Sequence, residues 1–196
     1  MVQLALIRHG HTSWNRAGRI QGRTDIELDD QARSELQGKC LPAPWDKAAI
    51  VASPLARAVE TAQLISGRVP EHIPDLIEMD WGDWEGKRGK DLLADPDCAY
   101  CDLESWGFDF YPPNGEAIQT VSDRVLGWAA RLNQDTLAVC HIGVMRVLLA
   151  EATGWSFKGP APFSIKRNRL YVISDDADGW RMQGNPVPLD KVATCA

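Results

Sequence analysis

Apolar residues in this chain recur in short unbroken runs, and each run ends on a polar corner. "LALI", residues 4–7, passes directly into Arg8-His9-Gly10 and then into a helix-compatible stretch. "AAIVA", residues 48–52, leads into Ser53 and Pro54, which predict the N-cap and first residue of an amphipathic helix. "DTLAV", residues 135–139, is followed by a His141-Ile142-Gly143 corner and a predicted helix ending at Gly154. Continuous apolar runs of this kind suit strands buried on both faces. Their alternation with helices predicts an α/β fold with a mainly parallel central sheet.

Two more helices follow from periodicity. One starts at Asp29 or Asp30 and ends near Gly38; the other places Ile118, Val121, Val125, Trp128 and Leu132 on one face. "RLYVISDDADGWRMQG" predicts a hairpin turning at Asp178-Gly179. The stretch from Glu85 to Pro113 is irregular and rich in Trp, Asp and Pro, and is expected to be an excursion over the sheet's edge rather than a second domain. No repeat or Gly/Ser-rich linker interrupts the 196 residues, so the expectation is a single domain over residues 1–196.

Composition changes this picture little: 44% hydrophobic and 24% charged residues are ordinary for a soluble globular protein. The longest apolar stretches are interrupted by charge, well short of the ~20 residues that a spanning helix needs. No secretory signal is read at the amino terminus, and no membrane partner is expected. Five scattered cysteines, an odd number, favour a reducing, cytoplasmic setting over a disulfide framework. A net charge of −6 argues against nucleic acid as a partner. It also makes a local cluster of arginines more telling, either as a focused anion pocket or as a solvated surface.

In folds of this class, ligands settle outside the carboxyl ends of the strands. The first corner carries Arg8 and His9, the second Arg57 one turn into its helix, and the third His141. Helix amino termini there add unpaired N–H groups and the positive end of a dipole. Two arginines, two histidines and helix starts on one rim point to a phosphate.

At this point "LIRHGHTSWN", "GRIQGRTD", "ASPLARAVETA", "EMDWGDWEG" and "VCHIGVMR", in that order, resemble the histidine phosphatase superfamily in its phosphoglycerate mutase-like branch. The resemblance runs from about residue 4 to about residue 147. It implies a three-layer α/β sandwich and a phosphohistidine mechanism, with no cofactor and no metal. His9 would be the nucleophile, neutral when it attacks. Arg8 and Arg57 would hold phosphoryl oxygens through bidentate charge-assisted bonds. His141 and Asn15 would complete the cradle. Glu78, four residues before Gly82, would be the proton donor, with Asp80 and Glu85 as nearby rivals. Asp80 is expected to face away, and Glu85 to order the following loop.

Blander readings stand beside these. Arg57 could pair with an acid on its own helix such as Glu60, and Asn15 could be a turn residue. Gln21 and Gly22 lie in "RIQG", where the family places substrate contacts, with loop architecture as the alternative. His11 departs from the acidic or amide residue more usual in the family and is expected at the rim; His72 is expected in solvent. Trp81 and Trp84 are read as core. "CHIG" replaces Ser-His-Gly-Gly, so Ile142 sets a bulky side chain beside the phosphate while its N–H stays available.

The expected function is a metal-independent phosphomonoester hydrolase acting on a small phosphorylated metabolite. The alternatives are a cofactor-dependent phosphoglycerate mutase and an enzyme like the α-ribazole phosphatase of cobalamin synthesis. A non-catalytic phosphate-binding module is disfavoured because every expected catalytic residue type is present. A homodimer is left open.

Overall fold

The computed structural model describes residues 1–176 and 179–191. In chain order its strands are β1 (Val2–Arg8), β2 (Lys39–Cys40), β3 (Ala49–Ala52), β4 (Glu71–His72), β5 (Thr136–Cys140), β6 (Arg169–Asp176), β7 (Gly179–Met182), β8 (Val187–Pro188) and β9 (Asp190–Lys191). Its α-helices are α1 (Ser13–Arg16), α2 (Asp30–Gln37), α3 (Ala56–Ser66), α4 (Gly89–Leu93), α5 (Ile118–Ala129) and α6 (Ile142–Thr153). The main sheet has the order β4-β3-β5-β1-β6-β7, with β8 beside β6, while β2 and β9 form a separate pair. From β4 to β1 the strands run parallel; β6 is antiparallel to β1, β7 and β8.

Both faces of the central strands are buried. On β1, Leu4 and Leu6 enter one core while Ala5 and Ile7 enter the other; on β5, Ala138 and Cys140 oppose Leu137 and Val139. That alternation is why the strands read as unbroken apolar runs. Helices α5 and α6 cover the first face through Ile118, Val121, Val125, Val144 and Leu148. Helices α2 and α3 cover the second through Ala32, Leu36, Ala58, Ala62 and Ile65. The result is the α/β sandwich that the apolar runs predict.

Local signals place most boundaries. Asp29 caps α2 by accepting from the Ala32 N–H at 2.8 Å, and Gly154 ends α6 in the left-handed conformation at φ 71°. The α3 boundary differs from expectation. Its first residue is Ala56 rather than Pro54, and Leu55 stands at the cap position without a side-chain bond. The Ser53 hydroxyl is instead 2.7 Å from His141 Nε2. The expected hairpin is present as β6 paired with β7, Asp176 opposite Gly179, while Asp178 lies outside the described residues.

The stretch from Glu85 to Pro113 does more than skirt an edge. Leu92 and Trp106 join Trp81 and Trp84 in the core on the α5/α6 face. Cys40 is disulfide-bonded, although the scattered cysteines favour a reducing setting over a disulfide framework; Cys98, Cys101 and Cys140 are free. The β2–β9 pairing sets Cys40 opposite Asp190, a juxtaposition that no local pattern announces. Among the described residues, no helix is long and apolar enough to cross a membrane.

Candidate active site

The three corners meet because their strands are neighbours. Arg8 pairs with Cys140, and Ala52 with Val139, so His9, Ser53 and His141 leave the sheet at one level. The ladder continues into the corners through His9 N to Cys140 O and Ser53 N to Val139 O, both at 3.0 Å. The His9 and His141 rings lie 5.1 Å apart between centroids.

His9 is buried, and its Nδ1 lies 2.6 Å from the carbonyl oxygen of Gly10. A carbonyl only accepts, so the ring proton sits on Nδ1 and the Nε2 lone pair is left open. Burial, followed by the facing His141 ring and the charges of Arg57, Arg8 and Arg167, holds its pKa well below the ordinary value of 6.5. The imidazole is therefore neutral near pH 7.

Arg57 is fully buried. Its Nη2 donates to Gly22 O at 2.6 Å, its Nη1 to Thr24 O at 3.0 Å, and its Nε to His141 Nδ1 at 3.3 Å. Glu60 is engaged by Arg33, so the pairing of Arg57 with Glu60 does not form. Because His141 Nδ1 accepts, its proton lies on Nε2 and is donated to Ser53 Oγ. Burial and then Arg57 hold the His141 pKa well below 6.5.

A cavity of about 300 Å³ opens on this corner. Arg8, His9, Asn15, Gln21, Glu78 and Ile142 form its inner wall. The rest of the lining is apolar or aromatic apart from Arg19, Cys101, Asp102 and Arg146, with Trp81 and Trp106 among the aromatics. Two buried donors on its wall, Arg8 Nε and Gln21 Nε2, have no acceptor, as do Nε and Nη2 of Arg68 away from the cavity. Such donors are rare without a missing partner, and an anion in the cavity would supply one. Burial lowers the Arg8 pKa to about 10, with Glu78 opposing the shift, so the guanidinium remains charged. Among the described residues, no three His, Cys, Asp or Glu side chains are placed to share a metal ion.

Glu78 is buried, with Oε2 accepting from the Gly143 N–H at 3.2 Å and Oε1 from its neighbour Met79 N at 2.9 Å. Gly143 is required by this approach, since a Cβ there would collide with Glu78 Oε1. Neither rival carboxylate lines the cavity. Asp80 accepts from Gly82 N at 2.9 Å. Glu85 accepts from Gly22 N at 3.1 Å and Thr24 N at 2.6 Å, ordering the loop at 22–24 rather than the one that follows it.

Asn15 and Gln21 are joined through Asn15 Nδ2 to Gln21 Oε1 at 3.1 Å. Gly22 departs from its expected place at the substrate: its N–H is taken by Glu85 and its carbonyl by Arg57, so it serves the loop. Its tight contacts with Met79 O, Glu85 and Trp81 leave no room for a Cβ. Trp81 belongs to both core and cavity wall. His72 is exposed on β4, as expected.

Arg167 is a cation of the site that sequence reading missed. Arg167 donates from Nε to the carbonyl oxygen of His9 at 3.0 Å and from Nη2 to Asn15 Oδ1 at 2.9 Å, with Nη1 3.2 Å from His11 Nε2. Burial, then repulsion by Arg8 and Arg16, lowers its pKa to about 9. "KRNR" looks like a solvated charge run, and no local signal could have placed Arg167 here.

A parallel-centred α/β sandwich with a cationic, histidine-bearing cavity at its strand ends defines a phosphate-handling enzyme. The chain belongs to the histidine phosphatase superfamily (branch 1), whose model matches residues 4–185. It is 34% identical over 177 residues to an adenosylcobalamin/alpha-ribazole phosphatase of Salmonella typhimurium, covering 80% of this chain and 85% of that protein. It is 34% identical over 170 residues to an uncharacterized phosphatase, PhoE, of Bacillus subtilis, covering 79% of each. A crystal structure of a phosphoglycerate mutase from Thermus thermophilus superposes with a TM-score of 0.75 at 29% identity, covering 96% of this chain and all of that one. The protein is accordingly a phosphatase of the phosphoglycerate mutase-like fold.

Proposed function

We propose that the protein is a metal-independent phosphomonoester hydrolase that works through a phosphohistidine. The observation that carries this reading is the Nδ1 contact of His9 with Gly10 O, inside a buried cationic corner. Burial and the neighbouring arginines keep the ring neutral, and the contact fixes the tautomer that leaves Nε2 unprotonated, which is what a nucleophile needs.

In the first step, His9 Nε2 attacks phosphorus, an N–P bond forms and the P–O bond to the alcohol breaks. Arg8 Nε and Gln21 Nε2, which have no acceptor within the protein, donate to phosphoryl oxygens. Arg57 adds positive field behind His9 and holds the neutral His141 ring in place. Protonated Glu78 gives its proton to the departing oxygen. In the second step, Glu78 takes a proton from water as that water attacks phosphorus; the N–P bond breaks and phosphate leaves with His9 restored. Such transfers depend on positioning and charge stabilisation more than on covalent work by the protein.

The test is acid-quench labelling. A radiolabelled phosphomonoester should give an acid-labile, alkali-stable phosphoenzyme in the wild type and none in His9→Ala. Phosphate release without labelling, or full turnover by His9→Ala, overturns the phosphohistidine. Isomerisation of 3-phosphoglycerate faster than phosphate release would instead favour the mutase reading suggested by the Thermus neighbour. α-Ribazole phosphate belongs in the substrate panel because of the Salmonella relative.

A further inference from the structure

Helix α6 carries another cation into the same cavity. Arg146 stands four residues after Ile142, on the same helix face, and both line the cavity. It is partly buried. Its guanidinium carbon lies 5.4 Å from the ring centroid of Trp106, which itself stacks on Phe110 with centroids 4.3 Å apart and planes within 1°. Among the described residues, Arg146 makes no hydrogen bond and no ion pair.

A guanidinium in such surroundings without an anion is costly. Burial opposes its charge, and Glu78 is the carboxylate whose field most favours it. Yet in the proposed first step Glu78 must carry a proton, so its charge is then lost. Arg146 would be left with only the Trp106 face as a partner. An anion bound in the cavity would supply that negative charge more closely than Asp102 on the cavity wall does, and the phosphoryl group is held by Arg8 and the His9 corner.

We infer that Arg146 is a recognition point for a carboxylate on the leaving group, so that the preferred substrates are phosphomonoesters of small carboxylate-bearing alcohols. This rests on the hydrolase reading of the same cavity. A guanidinium over an aromatic ring keeps its N–H fork available for a planar carboxylate. The cavity, at about 300 Å³, suits a small metabolite. Trp81 and Leu103 supply apolar walls for the intervening carbons. A neutral alcohol would leave the guanidinium unpaired, which a site built for a polar group penalises.

The experiment compares two pairs of substrates that differ by one carboxylate: O-phosphoserine with O-phosphoethanolamine, and 2-phosphoglycolate with ethyl phosphate. Phosphate release gives kcat/KM for the wild type, Arg146→Gln and Arg146→Lys. Taking variant against wild type cancels differences in leaving-group basicity. The wild type should favour the carboxylate member of each pair. Arg146→Gln should lower that preference by ~10- to 100-fold, the scale of a lost charge-assisted contact, largely through KM. Arg146→Lys, which keeps the charge but not the fork, should fall between, and it carries the test if the glutamine variant does not fold. An equal loss on both members of a pair, or a wild type without preference, overturns the inference while leaving the hydrolase intact. Absence of turnover and of phosphoenzyme with every ester instead overturns the hydrolase reading beneath it.

Discussion

Arg167 Nε holds the backbone carbonyl of His9 at 3.0 Å, across 158 positions of sequence. The same guanidinium reaches Asn15 Oδ1 and lies against His11 Nε2, so one side chain ties β1's corner to α1. It touches no group that reacts, and acts as a positioning residue. Arg167→Met should lower kcat ~10-fold or more, within the range for a misplaced catalytic group. It also removes one of the charges that depress the His9 pKa. The acidic limb of the kcat/KM profile should therefore move to higher pH, a shift that loss of packing alone would not produce.

His9 and His141 also make stability depend on pH. Both have folded pKa values well below the ordinary 6.5, chiefly through burial. A depressed folded pKa means that the unfolded chain binds protons first as pH falls. Their contribution is complete above about pH 6.5 and is lost below it, by about 1.4 kcal/mol per pH unit for each histidine until the folded pKa is reached. Urea unfolding at pH 8 and pH 5 should show a loss in the wild type that shrinks in His9→Gln/His141→Gln. An equal loss in both proteins would assign the acid sensitivity to other groups.

Glu78 is tested through the leaving group. A proton donor matters for a strongly basic alkoxide and little for p-nitrophenolate. Glu78→Gln should slow phosphohistidine formation far more with an alkyl phosphate than with p-nitrophenyl phosphate, while slowing breakdown with both; single-turnover kinetics separates the steps. Gly143→Ala should reproduce this pattern with Glu78 intact, because the added methyl occupies the place of Oε1. If the contrast appeared in Asp80→Asn instead, the acid assignment would move to Asp80.

Arg57→Lys is not a conservative change here. Lysine cannot span Gly22 O, Thr24 O and His141 Nδ1 together, so the 22–24 loop and the His141 ring lose their common support. A loss of ~10²-fold or more in kcat/KM is expected, on the scale of one transition-state electrostatic contact. A melting curve would report the accompanying loss of stability. Unchanged efficiency would remove Arg57 from the machinery.

Periodicity and punctuation were enough to locate the buried strands and the helices α2, α5 and α6. Continuous apolar runs, an Asp cap and terminal glycines are local signals, and their energetics are settled within a few residues. His9 and His141 were legible for the same reason, since each follows a strand and opens the next segment. The partners those residues use were not. Ser53 before a proline looks like a helix cap, but His141, 88 positions away, takes its hydroxyl. Gly22 looks like a substrate contact, but a buried guanidinium draws its carbonyl inward. Arg167 and Arg146 resemble surface charges until β6 pairs with β1 and α6 packs beneath Trp106. Hydrogen bonds and charge pairing act over a few ångströms of space whatever the sequence separation, so only strand order and helix packing decide which groups meet.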